Sequence, residues 1–214
     1  MTARVLRLER LLVSALPVLE ELTGVEELFL TRTPIADLSP LAKLSGLRVL
    51  GLKLTRITNI APLAGLTGLE SLNLSFTAVR DVAPLARLTN LRSLYLTGSL
   101  VGDIGPLSGL TGLTRLDLGG SAVVDLTPLS GLHALESLQL SSTKIADLTP
   151  LARLSRLRIL ELGDTPVRDL TPLRALTALR RLDLRGTQAG DAPVPAGCEI
   201  VSSATFRRRQ RAGV

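Results

Sequence analysis

The amino-acid sequence predicts an α/β solenoid: right-handed stacked coils with a parallel β-sheet on the concave face and short 3₁₀ or α-helical segments on the convex face. Three observations predict it. The chain repeats every 22 residues without insertion from Val25 onward, every unit has Leu at positions 4 and 6, and the 214 residues are 45% hydrophobic but only 2% aromatic. Such a period is typical of coils that bury their apolar faces against one another. One recurring side chain, Leu, fills this core without aromatic residues.

Each unit begins with a predicted strand. Its Leu residues at positions 4 and 6 alternate with polar or small residues at positions 3, 5 and 7, which indicates one buried face. Strands stacked about 4.8 Å apart would bury each Leu column against its neighbours. The eight units begin at Val25, Leu47, Leu69, Leu91, Leu113, Leu135, Leu157 and Leu179.

The second half of each unit predicts a turn and a short convex segment. Position 13 is Asp or Asn, whose side chain can accept hydrogen bonds from turn N–H groups. Position 15 is often Ser or Thr directly before a Pro, which predicts an N-cap followed by a helical segment of about one turn. Position 9 is Thr or Ser throughout. We expect these hydroxyls to point inward and to bond to backbone groups of adjacent coils.

The pattern LxxLxLxxTxVxDLxPLxxLT resembles the leucine-rich-repeat family. Its 22-residue length and its D-L-x-P-L segment resemble the bacterial, internalin-type subclass. It differs in position 9, where that family usually has Asn. The resemblance implies a non-enzymatic scaffold that binds a partner protein on its concave face.

The ends of the chain depart from the repeat. Residues 1–24 are predicted to form an N-terminal cap or degenerate repeat, and residues 25–200 to form eight repeats, the last a degenerate cap. Residues 201–214 would complete the C-terminal cap and end in a disordered basic tail. Two interpretations of residues 3–24 stay open: a degenerate coil, or a helix with leucines from Leu8 to Leu22 on one face. The segment DAPVPAGCEIV is expected to supply a last strand.

The composition gives little support to catalysis or metal binding. The chain has one His, His133, and one Cys, Cys198. We place them three units apart, too far for a nucleophile–base pair, and too few for a zinc site. His133 is predicted to be an exposed loop residue, and Cys198 a small buried residue in the position-20 Leu column. No phosphate-binding glycine loop is present, so no catalytic residue, cofactor or metal is predicted.

The lengths of the apolar segments and the single cysteine predict where in the cell the protein is found, and the net charge bears on a nucleic-acid partner. No apolar stretch is long enough for a signal peptide or a membrane helix, and a lone cysteine fits a reducing compartment. We therefore expect a cytoplasmic monomer with no small-molecule substrate. Half of the net charge of +6 lies in residues 199–214, so the high pI is weak support for a nucleic-acid partner.

Candidate partner-binding residues lie at positions that the repeat does not dictate. They are Phe29, Leu54, Asn73, Phe76, Tyr95, Leu100, Arg115, Asp117, Gln139, Glu161, Arg181, Asp183 and Arg185. Four of those in the N-terminal half form a predicted apolar patch, which is Leu54, Phe76, Tyr95 and Leu100. Exposed aromatics are favoured binding anchors, although three aromatics are also few enough to carry no meaning. The C-terminal half is a mixed-charge surface that would orient a partner.

Three other functions stay open. The repeats could be the sensor or regulatory module of a larger effector system. The basic segment from Arg207 to Arg211 could bind nucleic acid or an acidic surface, although we favour a solvated terminus. The chain could also be a consensus-derived scaffold without a natural ligand.

Overall fold

The computed structural model describes residues 4–10, 24–190 and 194–202, and there the chain forms an open sheet of ten parallel strands. The strands follow one another in sequence order, each hydrogen-bonded to its neighbours. They are β1 (Val5–Arg7), β2 (Glu27–Phe29), β3 (Val49–Gly51), β4 (Ser71–Asn73), β5 (Ser93–Tyr95), β6 (Arg115–Asp117), β7 (Ser137–Gln139), β8 (Ile159–Glu161), β9 (Arg181–Asp183) and β10 (Glu199–Val201). The predicted solenoid is confirmed.

Short 3₁₀ helices line the convex side. They span Ser39–Lys43, Ala61–Gly65, Ala83–Leu85, Gly105–Leu107, Thr127–Leu129, Thr149–Leu151 and Thr171–Ala175. Each contains the Pro of position 16 among its first two residues. The N–H groups at these positions have no acceptor within the helix, so the proline costs no helical hydrogen bond. No helix in the described ranges is long and apolar enough to cross a membrane.

The core consists of seven apolar columns that run the length of the stack, at positions 1, 4, 6, 11, 14, 17 and 20. In the coil that contains β4, for example, Leu72, Leu74 and Val79 are fully buried. Burial of each such side chain stabilises the fold by about 1.5–3 kcal/mol. The strand register keeps the columns aligned, since Leu50 pairs with Leu72 and Leu72 with Leu94.

The position-13 column turns the chain into the convex segment, as expected. The Asp37 carboxylate accepts a hydrogen bond from the Ser39 N–H at 2.8 Å, and Asn59 accepts one from the Ala61 N–H at 2.9 Å. The predicted N-cap at position 15 is wrong. The 3₁₀ helices begin at position 15, and the capping residue, such as Leu38, forms no side-chain cap bond. The position-13 side chain instead accepts from the N–H of position 15, the first residue of the 3₁₀ helix, as Asp37 does from Ser39.

The hydroxyls of position 9 point inward, but the predicted bonds to adjacent coils are wrong. Thr33 is buried, and its Oγ1 donates to the Leu30 carbonyl of its own coil at 2.7 Å. The other threonines of this column make the same bond, three residues back. Parallel strands already pair their backbone groups across coils, so the short hydroxyl reaches the carbonyl beside it.

The chain before the first full repeat is a coil where it is described. Strand β1 pairs with β2 in the 22-residue register, with Val5 opposite Glu27, and Leu6 and Leu8 pack against the core. This supports the degenerate-coil interpretation for residues 4–10. Residues 11–23, over most of the alternative helix, lie outside the described residues.

The last coil is shorter than the others. Glu199 of β10 pairs with Arg181 of β9, so this coil has eighteen residues instead of 22. The predicted last strand is confirmed, but Cys198 lies beside β10 and not in the position-20 column. It is half-buried, and burial raises the pKa of its thiol. His133 is exposed in a loop, as predicted.

Candidate partner-binding face

The sheet presents positions 3, 5 and 7 of each coil to the concave face, and position 8 forms the edge where the chain leaves the strand. Of the predicted residues, Phe29, Asn73, Tyr95, Gln139 and Glu161 are half-buried at position 5. Arg115 at position 3 and Arg185 at position 7 are exposed. The side chains at the edge, Leu54 and Phe76, are more exposed than those at position 5.

The edge has an unusual backbone. Every position-8 residue has a positive φ, close to the left-handed helical region. The values are 59° for Arg32, 59° for Leu54, 55° for Phe76, 62° for Gly98, 64° for Gly120, 60° for Ser142, 56° for Asp164 and 72° for Gly186. The coil geometry therefore imposes this conformation whatever the residue. It favours glycine and disfavours a bulky side chain by roughly 1–2 kcal/mol.

Two large apolar side chains nevertheless occupy this edge. Leu54 is 39% exposed and Phe76 is 49% exposed. The Lys53 ammonium lies 5.5 Å from the centroid of the Phe76 ring, within range of a cation–π interaction. A Cβ atom at Gly98 would lie only 2.7 Å from Cδ1 of Phe76, so the ring rests on this glycine of the next coil.

The remaining predicted apolar residues are placed differently. Phe29 packs between the Arg7 guanidinium, 4.5 Å from its ring centroid, and Gly51 of the next coil. Leu100 is 41% exposed at position 10, beyond the buried Ser99. Leu54, Phe76 and Tyr95 thus lie on the concave face or its edge, while Leu100 follows the edge on the descending side of the coil.

An open groove of about 330 Å³ follows the edge from the coil of β4 to that of β8. Phe76 closes one end, and glycines form much of the floor. Asp117, Gln139 and Glu161 line the side that belongs to the sheet. The sequence predicts each of these side chains as a candidate for partner binding, and the groove that joins them depends on the stacking of the coils.

Three predicted residues have structural uses at the strand ends. Asn73 accepts a hydrogen bond from the Ser75 N–H, and Asp117 accepts one from the Gly119 N–H, each at 2.9 Å. Asp183 accepts from both the backbone and the guanidinium of Arg185, and its side chain is only 1% exposed. Asp183 therefore stabilises β9 and presents no free carboxylate to a partner.

The Asp183–Arg185 pair is electrostatically satisfied. Burial alone would raise the pKa of the Asp183 carboxyl. The side-chain and backbone hydrogen bonds from Arg185, with its positive charge and that of Arg181, outweigh burial and lower the pKa below its ordinary value of 3.8. Arg181 also lies 3.9 Å from the Glu199 carboxylate. The C-terminal end of the face is therefore a paired network.

Sequence analysis did not single out the opposite edge, where the chain enters the strands. Charges alternate there at position 2, and ion pairs join Arg4 to Glu26 at 3.0 Å and Arg48 to Glu70 at 3.6 Å. The alternation breaks in the coils of β8 and β9, where position 2 is Arg158 and Arg180. Between the end of the β7 coil and the convex segment of the β8 coil, four exposed arginines form no ion pair with a described residue. These are Arg153, Arg156, Arg158 and Arg174. Arg158 lies at position 2 and the other three lie at positions 18, 19 and 22, so a count of arginines along residues 153–174 would have revealed this cluster.

The described ranges contain no group of three or more His, Cys, Asp or Glu side chains that could hold a metal ion. The side chains that line the groove are aromatic, acidic, amide and hydroxyl groups. They form a surface made of an aromatic wall, a backbone floor and carboxylates.

Comparisons with known proteins agree with this fold. A family model described as leucine-rich repeats, two copies, matches residues 67–109. Internalin C2 from Listeria monocytogenes has a similar structure with a TM-score of 0.81 and 36% identity; the match covers 82% of this chain and 78% of internalin C2. A second internalin from the same strain has a TM-score of 0.81 and 33% identity, over 87% of this chain and 58% of its own.

A leucine-rich-repeat protein from Leptospira interrogans shares the fold, with a TM-score of 0.78 and 22% identity. The match covers 91% of this chain and 59% of that protein. This chain thus spans less than two thirds of the second internalin and of the Leptospira protein. A search of curated proteins gives no match. The match to internalin C2, together with the repeat register and the ten-stranded open sheet, shows that the chain belongs to the bacterial internalin-like leucine-rich-repeat family.

Proposed function

We propose that this protein is a non-enzymatic scaffold that binds a partner protein through its concave face and the adjoining edge. Leucine-rich-repeat proteins are generally protein-interaction scaffolds. The observation that carries the proposal is the presence of Leu54 and Phe76 at left-handed backbone positions. Both side chains are exposed, and glycine would relieve the strain at either site. A contact with a partner accounts for their presence at a cost in stability.

The test is affinity capture from the source organism's lysate, with mass spectrometry to identify the protein and a Kd measured with the purified partner. Leu54→Gly/Phe76→Gly removes both side chains and suits the local backbone. Val124→Ser is the matched control, because Val124 is 60% exposed but lies at position 12, away from the concave face. We expect the double variant to lose the partner and the control to keep it. Equal capture by both variants would contradict the proposal.

A second candidate function, binding to a polyanion such as nucleic acid, is favoured by the arginine cluster in the coils of β7 and β8. The basic segment from Arg207 to Arg211 lies outside the described residues. Each phosphate contact contributes about −0.9 to the slope of log K against log salt concentration for duplex DNA.

Fluorescence anisotropy of a 5′-labelled duplex over a salt series tests this second function. Arg153→Gln/Arg156→Gln/Arg158→Gln should flatten the slope by about 2–3 if these side chains contact phosphates. Lys144→Gln, an exposed cation at position 10, is the control. An unchanged slope in the triple variant would exclude this surface.

The expected monomer and the expected cytoplasmic location are part of the proposal. The lone Cys198 cannot form an intrachain disulfide and is half-buried, which fits a reducing compartment. Light scattering on the purified protein tests the first, with a mass of 22.7 kDa expected. Fractionation of the source cells tests the second, and recovery in the surface or secreted fraction would overturn it.

A further inference from the structure

The groove along the edge has a different chemistry at each end. At the end nearer the N-terminus, Lys53 lies over Phe76, whose ring is half exposed. At the other end, Asp117 and Glu161 line the groove on the same column, two coils apart, with the uncharged Gln139 between them. The groove therefore changes from aromatic to acidic along the solenoid axis, and Lys53 lies outside its aromatic end.

The middle of the groove is open because it lacks side chains. Gly98 and Gly120 follow Phe76 along the position-8 column, with φ values of 62° and 64°. Gly98 lies under the Phe76 ring, whereas a Cβ on Gly120 would meet only Gly98 backbone atoms at 3.7 Å, so Gly120 forms an open glycine shelf beside the ring. A partner backbone could approach this shelf more closely than a surface covered by side chains.

The two carboxylates can accept a further cation, although Arg185 already interacts electrostatically with Glu161 without a salt-bridge contact. Neither Asp117 nor Glu161 forms an ion pair with any residue in the described ranges. Asp117 accepts one backbone hydrogen bond through Oδ1, which leaves its second oxygen available. Both side chains are half-buried, where an added cation would be less screened than on an open surface.

We propose that this groove binds an extended segment of a partner protein that carries an apolar side chain and, about four residues away, an Arg or Lys. The apolar side chain packs on Phe76, the backbone crosses the glycine shelf, and the cation enters between Asp117 and Glu161. This inference rests on the proposed function and specifies the partner's recognition segment.

The spacing follows from the repeat. Phe76 follows β4 and Gln139 ends β7, three coils later. At about 4.8 Å per coil, this separation is roughly 14 Å. An extended chain advances about 3.3 Å per residue, so roughly four residues span it. Segments of opposite charge would place an acidic group beside the two carboxylates and be rejected.

A random twelve-residue peptide library displayed on phage, selected on the immobilised full-length protein, tests the proposal. We expect enriched peptides with an apolar or aromatic residue and an Arg or Lys three to five positions apart. Asp117→Asn/Glu161→Gln should weaken a synthetic peptide of the most enriched sequence by about tenfold. Both replacements have natural counterparts here, since Asn73 makes the same backbone bond and Gln139 occupies the same column.

Glu136→Gln is the control, because it removes one exposed negative charge at position 2, on the other edge of the sheet. Its affinity for the peptide should equal that of the wild type. Failure to enrich any peptide over the bare surface, enrichment of acidic sequences, or equal binding by the double variant would each overturn the inference. If Leu54→Gly/Phe76→Gly still loses a captured partner in that case, the concave-face function stands and only the recognition segment is wrong.

Discussion

The buried hydroxyls of position 9 fall into two groups. Threonines donate to the carbonyl three residues back in their own coil, as Thr143 does to Leu140 at 2.6 Å. Ser99 and Ser121 are equally buried, but their hydroxyls have no hydrogen-bond partner in the described part of the chain. The γ-methyl group restricts the rotamer of Thr, whereas Ser is free of this restriction. The position-9 hydroxyl group therefore stabilises the fold in the coils that have Thr, and is neutral or destabilising in the coils that have Ser.

This difference predicts opposite effects of removing a hydroxyl. Thr143→Val keeps the side-chain shape but deletes the bond, and should destabilise the fold by about 0.5–1.5 kcal/mol. Ser121→Ala removes an unsatisfied group, and should leave stability unchanged or raise it by up to about 1 kcal/mol. Urea unfolding midpoints, compared at an unchanged m-value, measure both. A loss of stability in Ser121→Ala as large as that in Thr143→Val would show that its hydroxyl is bonded after all.

The left-handed column predicts a trade-off between stability and binding. Leu54→Gly should stabilise the fold by about 1 kcal/mol, because glycine adopts φ near 59° without strain. Gly120→Ala should destabilise it by a similar amount, since its Cβ would meet no close contact and only the backbone preference changes. Thermal unfolding measures both effects. Destabilisation by Leu54→Gly would mean that its side-chain packing outweighs the backbone strain.

At the scale of the structural element, the Asp column controls how each convex segment begins. Hydrogen bonds from the backbone and hydroxyl of position 15 lower the pKa of Asp37, Asp125, Asp147 and Asp169 below 3.8. A carboxyl whose pKa is lower in the folded state stabilises the fold above the pKa of the unfolded chain. This stabilisation is lost as the pH falls through the lowered value.

Replacement of these four aspartates with Asn should therefore change the pH dependence more than the stability at neutral pH. Asn59 already shows that an amide makes the same bond. We expect the variant to match the wild type near pH 6 and to lose less stability between pH 4 and pH 2. Urea midpoints over this range provide the measurement. An identical acid response in both proteins would contradict a role for these carboxylates.

Periodic and local features of the fold could be predicted from the sequence. The Leu columns and the Asp turns recur at fixed positions, and each depends on neighbours that the repeat itself specifies. The direction of the Thr33 hydroxyl could not be predicted, because it depends on the exact position of a carbonyl three residues back. The start of the 3₁₀ helices also depends on backbone angles, which Ser39 and Pro40 alone do not define.

The candidate site was less predictable than the fold. Sequence analysis placed Phe76, Asp117 and Glu161 on the correct face, because strand alternation determines it. It did not foresee that Asp183 would be buried by Arg185, since this depends on the pairing of two neighbouring side chains. The position of Cys198 was wrong because the last coil lacks the P-L-x-x-L segment and closes after eighteen residues.

At the scale of the whole molecule, the equal coils predict tolerance to the removal of one complete unit. Deletion of residues 113–134 joins Gly112 to Leu135 and leaves every apolar column in register. The shortened protein should fold and give a circular dichroism spectrum of the same shape as the full-length protein. Its urea unfolding midpoint should be lower, because one interface between coils is lost. Deletion of residues 113–123 is the control. It should abolish cooperative unfolding, since half a coil moves every Leu column out of line. Circular dichroism during urea titration distinguishes the two.

The position-8 column also bears on how this protein changes over generations. The coil sets the backbone conformation of this column. A mutation to a bulky residue there therefore costs stability through backbone strain, and it is retained when a contact with a partner offsets that cost. Without a partner, drift would gradually replace Leu54 and Phe76 by glycine or asparagine, which the conformation favours. In related genomes, a bulky residue retained at one coil of this column would mark the coil whose contact is under selection, without any knowledge of the partner.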